Sequence, residues 1–588
     1  MKQNYIALRL IHILITFIIS CLSFLGTAQE KKNITIVYGG NFTKNEIKYP
    51  GASIFSKDNR QVQFEHQGVD LWCDVAIYNQ KENRIKAFGN VRFNQGDTIQ
   101  MQSGYLDYDG NTRLAYARDN VKLNNLQMEL ATDTLYFDRN KQDAYYNSFG
   151  TVKDSINVLT SEKGHYYLEQ KRYQFLSDVK ITNPDYVLNS LQLDYYTITK
   201  HAYMYGPSTI TGKDYKVYCE RGFYDTSDEN GYFIKNSRID YNNRIIYGDS
   251  LYFDKIKDFA SATNNIKVID TINKGIVKGH YAEVYKQKDS VFITKRAVAI
   301  NLIEKDSMYI HGDTLMVTGK PDNRIIRGFR NVKFYKKNLS GKCDSIHVNQ
   351  KTGLTQLIGE PLGFNAETMS IAEKKKKSPI LWSGKNQMTG DSIHLITNIE
   401  TEKLDSLKVL NNAFIIEKDT LSEGFNQVKG KNLFGLFVEN QLDIIDVIKN
   451  TEVIYYMYND ENELIGIDKT ICSAINMTMT DNQIEDITFF TNPDGDIFPE
   501  KDLPVNARKL SGFVWRGDEM ISSKEDIFDE DDNNIQLVKI RGIDNPIDID
   551  AEEYEKQSKN EPPNEKNTSQ KPNSKGTSPN RKIKPENK

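Results

Sequence analysis

The 588-residue chain carries few cysteines, few tryptophans and almost no net charge. Its five cysteines form no CxxC pair, which argues against a zinc site. The four beyond the N-terminal region, Cys73, Cys219, Cys343 and Cys472, lie far apart and read as small buried hydrophobes rather than as a disulfide framework. A formal charge of −4 excludes bulk attraction to nucleic acid. HExxH, the GxxxxGK phosphate loop and GxSxG are all missing. No catalytic residue, metal ligand or cofactor is therefore assigned. The eight histidines are scattered: His165 and His280 each follow a glycine, and His347 and His394 each follow Ser-Ile, as expected of recurring structural positions. Carboxylate pairs such as Asp225 and Asp228 fall in turns, where turn chemistry alone accounts for them. Between Gly40 and Ile497 no amphipathic helix of twelve residues or more is legible.

What fills the chain instead is a repeated pair of phrases. The first reads Asp133-Thr134-Leu135-Tyr136-Phe137-Asp138 and returns as Gly248-Asp249-Ser250-Leu251-Tyr252-Phe253-Asp254 and Gly312-Asp313-Thr314-Leu315-Met316-Val317. The second reads as a turn followed by an alternating strand: Gly89-Asn90-Val91-Arg92-Phe93, Asp119-Asn120-Val121-Lys122-Leu123, Ser177-Asp178-Val179-Lys180-Ile181, Asn264-Asn265-Ile266-Lys267-Val268 and Arg330-Asn331-Val332-Lys333-Phe334. The register residues are Asn90, Asn120, Gly150, Asp178, Pro207, Ser237, Asn265, Ala297, Asn331 and Pro361, with looser copies near Asn412, Thr451 and Pro493. By subtraction the regular gaps are 30, 30, 28, 29, 30, 28, 32, 34 and 30. A fixed period identifies a stacked, one-dimensional architecture. Alternation of apolar and charged residues predicts strands with one buried and one wet face. Short turns require antiparallel neighbours, so the fold class is all-β: an elongated, hairpin-built antiparallel stack of repeats of about 30 residues.

Lys2, Arg9, the apolar run Ile11–Leu25 and the small residues Gly26-Thr27-Ala28 read as a signal peptide over 1–28, with Cys21 as an alternative lipidated residue. Regular β-repeats are expected over 29–365, a loop-rich insertion over 366–405 and degenerate β-repeats over 406–520. The run Lys374–Lys377 reads as a solvated loop, with contact to an anionic sugar or phosphate as the alternative. Residues 521–588, first acidic and then rich in Lys, Asn and Pro, are expected to be a disordered tail.

The phrases Ile85-Lys86-Ala87-Phe88-Gly89-Asn90-Val91-Arg92-Phe93 and Gly104-Tyr105-Leu106-Asp107-Tyr108-Asp109 resemble the OstA-like family, and Leu503–Trp515 is similar to the ending of its large members. The resemblance spans about Ile34 to Trp515. It implies a β-jelly-roll, a twisted V-shaped trough whose apolar interior holds the acyl chains of lipopolysaccharide. It also implies a periplasmic location, with association at the outer membrane, and partners among inner- and outer-membrane lipopolysaccharide-transport proteins reached by edge-strand pairing. The residues expected to line the groove are Val91, Phe93, Val121, Leu123, Leu135, Phe137, Val179, Ile181, Leu191, Leu193, Leu251, Phe253, Ile266, Val268, Val332 and Phe334. The residues themselves leave two readings open, a lipid track or a closed core. The second would make the chain a rigid structural or adhesive surface protein. A polysaccharide-processing β-solenoid enzyme would need a clustered Asp/Lys/Arg site on one outer face, which the repeat lacks.

Overall fold

The computed structural model describes residues 33–543 except 126–127, 273, 303–306, 321–322, 363–366 and 481–482. The chain divides into two units, 1–543 and 544–588, and the second lies outside the described residues. So do the expected signal peptide, Cys21 and the polar end of the tail.

Among the described residues, 38 strands join into one sheet. Neighbours in sequence pair antiparallel, as Arg84–Gln95 does with Ile99–Asp109, and Ile99–Asp109 with Leu114–Asn124. The same hairpin step continues through Tyr215–Asp225, Asn230–Tyr241, Arg244–Asp254, Phe259–Asp270 and Gly275–Tyr285. It reaches the long strands Gln441–Tyr458 and Leu464–Thr480, and the latter pairs with the final strands Gln483–Phe490 and Asp494–Phe498.

The second phrase departs from expectation in an instructive way. Its first two residues are not a turn. They are a left-handed kink inside one continuous strand. Gly89 and Asn90 have φ of 74° and 46°, Asp119 and Asn120 70° and 56°, Asn264 and Asn265 58° and 48°, and Arg330 and Asn331 59° and 53°. The ladders shift register at these points, for example between Phe88 and Val91 and between Thr263 and Ile266. Asn recurs because it tolerates positive φ better than other residues with a side chain. Its amide has a second task. Asn90 donates to Asp74 at 2.7 Å, Asn236 to Glu220 at 2.6 Å, Asn265 to Asp249 at 2.8 Å and Asn412 to Asp391 at 3.0 Å. The acid of one phrase and the Asn of the next thus form one hydrogen-bonded corner.

The position before that acid faces inward and is crowded. A Cβ at Gly279 would meet Ile293 at 2.5 Å, and one at Gly390 would meet Val409 at 2.4 Å. Only small residues fit: Ser103, Thr132, Ser161, Ser190, Gly248, Gly279, Gly312 and Gly390. Cys73, Cys219, Cys343 and Cys472 occupy the same slot, and all four are free and buried. The hydroxyls satisfy the local carbonyl two residues on, as Ser103 donates to Tyr105 O at 3.0 Å and Ser190 to Gln192 O at 2.7 Å. Cys472 Sγ makes the same contact with Ala474 O at 3.3 Å.

The first phrase ends in Asp because that carboxylate caps the next turn. Asp109 Oδ1 accepts from the amides of Asn111 and Thr112 at 2.8 and 3.0 Å. Asp138 and Asp225 repeat the arrangement. Turns also stack on turns: Arg139 N donates to Arg113 O, Thr226 N to Lys200 O, and Lys255 N to Glu229 O, each at 3.0–3.2 Å.

Two stretches differ from the sequence reading. Residues 366–405 are not mainly loop. They contain the seven-residue helix Ile371–Lys377 and the strands Ile380–Ser383, Asn386–Thr389 and Ser392–Thr397, which continue the sheet. The inserted piece is only the segment between Leu354–Ile358 and Ile380–Ser383. Residues 521–543, expected within the disordered tail, are packed: Ile521 and Ile527 are buried against Val298, Ile300, Tyr309 and Tyr335. From Leu503 to Ile543 the chain is a strap on the outside of the sheet. Its contacts run backward through the strands, from Gln427 (Leu510) to Gln387 (Arg516), Lys333 (Asp529), Asn264 (Val538) and Arg221 (Ile543). A charged composition concealed it, because its few apolar residues are spaced too widely to read as a strand or helix.

Candidate functional site

One apolar cluster extends without a break from Ile34 to Met479. Thirteen of the sixteen residues expected to line the interior are in it, each 0–2% exposed: Val91, Phe93, Val121, Leu123, Leu135, Phe137, Val179, Ile181, Leu193, Leu251, Ile266, Val332 and Phe334. Phe253 and Val268 are half-buried and pack against it. Leu191 does not belong there. It is 57% exposed and sits at the register shift between Ser190 and Gln192. That extra residue reverses the inward alternation, so Tyr186 and Leu188 precede the kink on the inner face while Leu193 and Tyr195 follow it. Reading Leu191 and Leu193 as one period-two pair ignores the bulge.

The sheet closes on itself through side chains. The turns at one end of the strands meet turns at the other end further along the chain. Gln95 donates to Gln142 at 2.8 Å, and Arg139 donates to Gln95 at 3.0 Å, to Tyr108 Oη at 2.7 Å and to Gln67 O at 3.0 Å. Asn125 donates to Tyr166 Oη at 2.7 Å. Lys255 reaches Asp185 at 3.2 Å and Glu229 at 2.6 Å. Arg324 forms an ion pair with Asp270, which also accepts from Asn243 at 2.7 Å. These contacts make a polar seam along the interior, with sequence separations far longer than a hairpin.

How tightly the seam seals depends on the last inward residue before each turn. Through the first part of the sheet it is aromatic and covered: Tyr108, Phe137, Tyr166, Tyr195 and Tyr224 are 1–2% exposed. Burial pushes Tyr146 and Tyr195 up to about 12. Phe253 is the last of the row. The slot then holds Val284, Val317 and Val348, all half-buried. Ile246, Val268 and Val277 beside them are also only half-covered. The charged groups in this part include Arg244, whose pKa burial lowers, together with Asp270 and Arg324. The aromatic row was visible in the sequence at Tyr108, Phe137, Tyr224 and Phe253, each preceding Asp, whereas Tyr166 and Tyr195 precede a second tyrosine. Its replacement by valine went unread.

No group of three or more potential ligands suited to a metal ion occurs among the described residues. The histidines have local roles: His66 bonds Tyr108 at 2.7 Å, His394 bonds Ser392 at 2.8 Å, and His311 bonds Ala297 O at 2.7 Å and Asp532 at 3.0 Å.

The fold and interior define a β-protein of stacked antiparallel hairpins around one continuous apolar core. Residues 37–191 match the family model described as OstA-like protein. No curated protein matches the chain. Among solved structures it is similar to LptH of Pseudomonas aeruginosa, described as the LptA-homologous periplasmic component of the conserved lipopolysaccharide transport device. That similarity is at 14% identity over 24% of this chain and 82% of that chain, with a TM-score of 0.13.

Proposed function

We propose that this protein is a non-enzymatic periplasmic carrier that holds the acyl chains of lipopolysaccharide inside the sheet and bridges their transport to the outer membrane. The observation that carries the reading is the single apolar cluster from Ile34 to Met479. A hydrocarbon chain moving along a protein needs a track without polar interruption, because each methylene returned to water costs about 0.8 kcal/mol. The OstA-like match over 37–191 supports the same reading. Entry would occur where valines replace the aromatic row, between Phe253 and Val348, by parting the side-chain seam. No backbone ladder has to break there.

Partners would dock on the open ends of the sheet. Among the described residues, Thr35–Tyr38 and Asn41–Lys44 each pair on one side only, and so do Gln483–Phe490 and Asp494–Phe498. They expose Ile36, Val37, Phe42, Phe490 and Ile497. Unpaired edges of this kind add strands from other chains.

The test is photo-crosslinking to lipopolysaccharide from probes replacing Phe93, Phe137, Phe253 and Phe334, with the exposed Arg92 and Lys180 as controls. Adducts are expected from the interior positions, first at Phe253. Adducts from the controls alone would defeat the carrier reading. A second reading, a rigid scaffold with a closed core, is favoured by the 0–2% exposure of the thirteen interior residues. It predicts no interior adduct, and intact lipopolysaccharide transport after depletion of the protein.

A further inference from the structure

The lysine run Lys374–Lys377 is not spread into solvent. It forms one wall of a cavity of about 530 Å³ on the outer face of the sheet. Phe414, at the cavity, belongs to the outer apolar cluster with Ile416 and Leu510, whereas its neighbours Ala413 and Ile415 belong to the interior one. The cavity is therefore on the opposite side of the strand from the proposed lipid track.

Three pieces of chain build it. The helix Ile371–Lys377 is fixed at its start by a capping box between Ser370 and Glu373. It is tied at its end by Glu360 N donating to Lys377 O at 2.9 Å and by Arg516 donating to Ser378 O at 3.1 Å. The sheet supplies a floor at the kink of strand Leu404–Lys418 and from Lys429 and Gly430. The strap supplies a roof through Ser511 and Gly512. Gly512 lies at φ +89°, and a Cβ there would face Ile371 and Lys375 at 3.5 and 3.9 Å.

The charges do not balance. Lys374, Lys375, Lys377 and Lys429 line the space against Glu360 and Asp391. Lys377 pairs with Glu360 at 2.9 Å, and Lys429 with Glu452 at 3.0 Å. Asp391 accepts the Asn412 amide at 3.0 Å. Lys375 donates to a neutral partner, the Asn412 carbonyl, at 2.5 Å. Burial holds its ammonium down to about 8, with Asp391 opposing the shift and Lys429 adding to it. Four lysines against the carboxylates of Glu360 and Asp391 leave an excess of positive charge in the walled space, which an anion would complete. The apolar remainder of the lining, including Ile358, Leu362, Ile371 and Phe414, and a volume in the range of small-molecule sites suit more than a bare anion.

We propose that this cavity binds a phosphorylated saccharide, with the phosphate between Lys374, Lys375 and Lys429 and the sugar against Ile371 and Phe414. The same chemistry could come from a free sugar phosphate or from the phosphorylated sugar headgroup of a glycolipid. The proposal does not rest on the interior being a lipid track.

The test is calorimetric titration of the full chain with N-acetylglucosamine 1-phosphate, with inorganic phosphate and N-acetylglucosamine as separate arms. Saturable one-to-one binding is expected for the sugar phosphate, at least tenfold weaker in K375Q/K429Q. K376Q, whose exposed side chain lies outside the lining, is expected to bind as the parent chain does. A further arm uses detergent-dispersed lipid A. A tenfold loss of its binding in the double variant would assign the headgroup as the source, and unchanged binding would assign the soluble compound. Absence of saturable binding to the parent chain would overturn the proposal whatever the variants do. Equal binding by K375Q/K429Q, or inorganic phosphate binding as tightly as the sugar phosphate, would also overturn it. Photo-crosslinking in the interior reports on the other face, so the two readings fail separately.

Discussion

The hairpins before residue 240 and those between 244 and 349 are written in the same two phrases, yet they differ in closure. In the first group the inward row is sealed, with Phe137 at 1% and Tyr224 at 2% exposure. In the second the equivalent Val284, Val317 and Val348 are half-exposed, and an Arg324–Asp270 ion pair stands at the seam. The strand pairing is equally regular in both. The difference therefore does not come from the backbone. It lies in the side chains: Val284, Val317 and Val348 are shorter than the rings they replace, and Phe253, Ile246, Val268 and Val277 are also only half-covered. A repeat can thus vary its access to the interior without altering its ladder, since each unit depends chiefly on its neighbours.

The largest expected effect comes from placing a charge inside the sealed part. Val121→Asp should destabilise by several kcal/mol, because the carboxylate has neither water nor a partner there. Leu251→Asp, at 1% exposure, should behave similarly. Leu191→Asp is the control: at 57% exposure it should change stability by less than about 0.5 kcal/mol. Chemical denaturation with hydrogen exchange on individual strands measures all three, and a costly Leu191→Asp would show that the bulge assignment is wrong.

Truncating the aromatic row separates the two groups more finely. Phe137→Ala should cost about 3–5 kcal/mol, as expected for a buried ring. Phe253→Ala starts from a half-exposed ring and should cost clearly less. In the opposite direction, Val317→Phe should extend the row and slow hydrogen exchange in Ser290–Thr294 and Ile325–Lys336, the strands paired with it. Equal losses for the two alanine variants would erase the distinction between a sealed and a partly open stretch.

The all-β class, the antiparallel pairing and most of the inward face were legible in the sequence, because alternation in Val91-Arg92-Phe93 or Val332-Lys333-Phe334 follows directly from strand geometry. What escaped has a common cause: it depends on contacts between distant residues. Asn90 looks like a turn residue until its amide is seen on Asp74, 16 positions away. Leu191 looks inward until the one-residue bulge is known. Cys73, Cys219, Cys343 and Cys472 look unrelated until they fall in the slot shared with Ser103 and Gly248, although their position before Asp74, Glu220, Asp344 and Ser473 was a readable signal. The strap hid because its affinity for the sheet is spread over isolated residues such as Ile527 and Asp529.

The strap covers the outside of the less sealed group, and acid should loosen it. Glu519 is held down to about 2, chiefly by the hydrogen bonds from Arg516 and helped by Lys342, and Lys333 helps hold Asp529 below its usual value against burial. A carboxylate whose folded pKa is depressed contributes stability above its unfolded pKa and loses it as pH falls through the folded one. The strap contacts should therefore be intact above about pH 4.5 and weaken progressively toward pH 2. Both groups are partly exposed, so solvent screening keeps the effect modest. Hydrogen exchange of Ile521–Phe528 against pH measures it, with Val62–His66 as an internal reference, and Glu519→Gln should flatten the response at the Arg516 and Lys342 end.

The smallest effect distinguishes the corners themselves. In the first group Asn90 bonds Asp74 on a neighbouring strand at 2.7 Å. In the second, Asn331 donates instead to Asp529 of the strap at 2.6 Å, beside the Lys333–Asp529 contact at 2.5 Å. Both asparagines hold positive φ, so alanine at either should cost about 1 kcal/mol through the backbone and the lost bond. The consequences should then diverge. Asn90→Ala should loosen only its own corner, seen as faster exchange around Cys73 and Val91. Asn331→Ala should leave its strand in place and free the strap around Asp529, because the bond it removes joins strap to sheet. Were both variants to alter only their own strands, the Asn331–Asp529 bond would be incidental to the docking of the strap, which Ile521, Ile527 and its remaining polar contacts would supply.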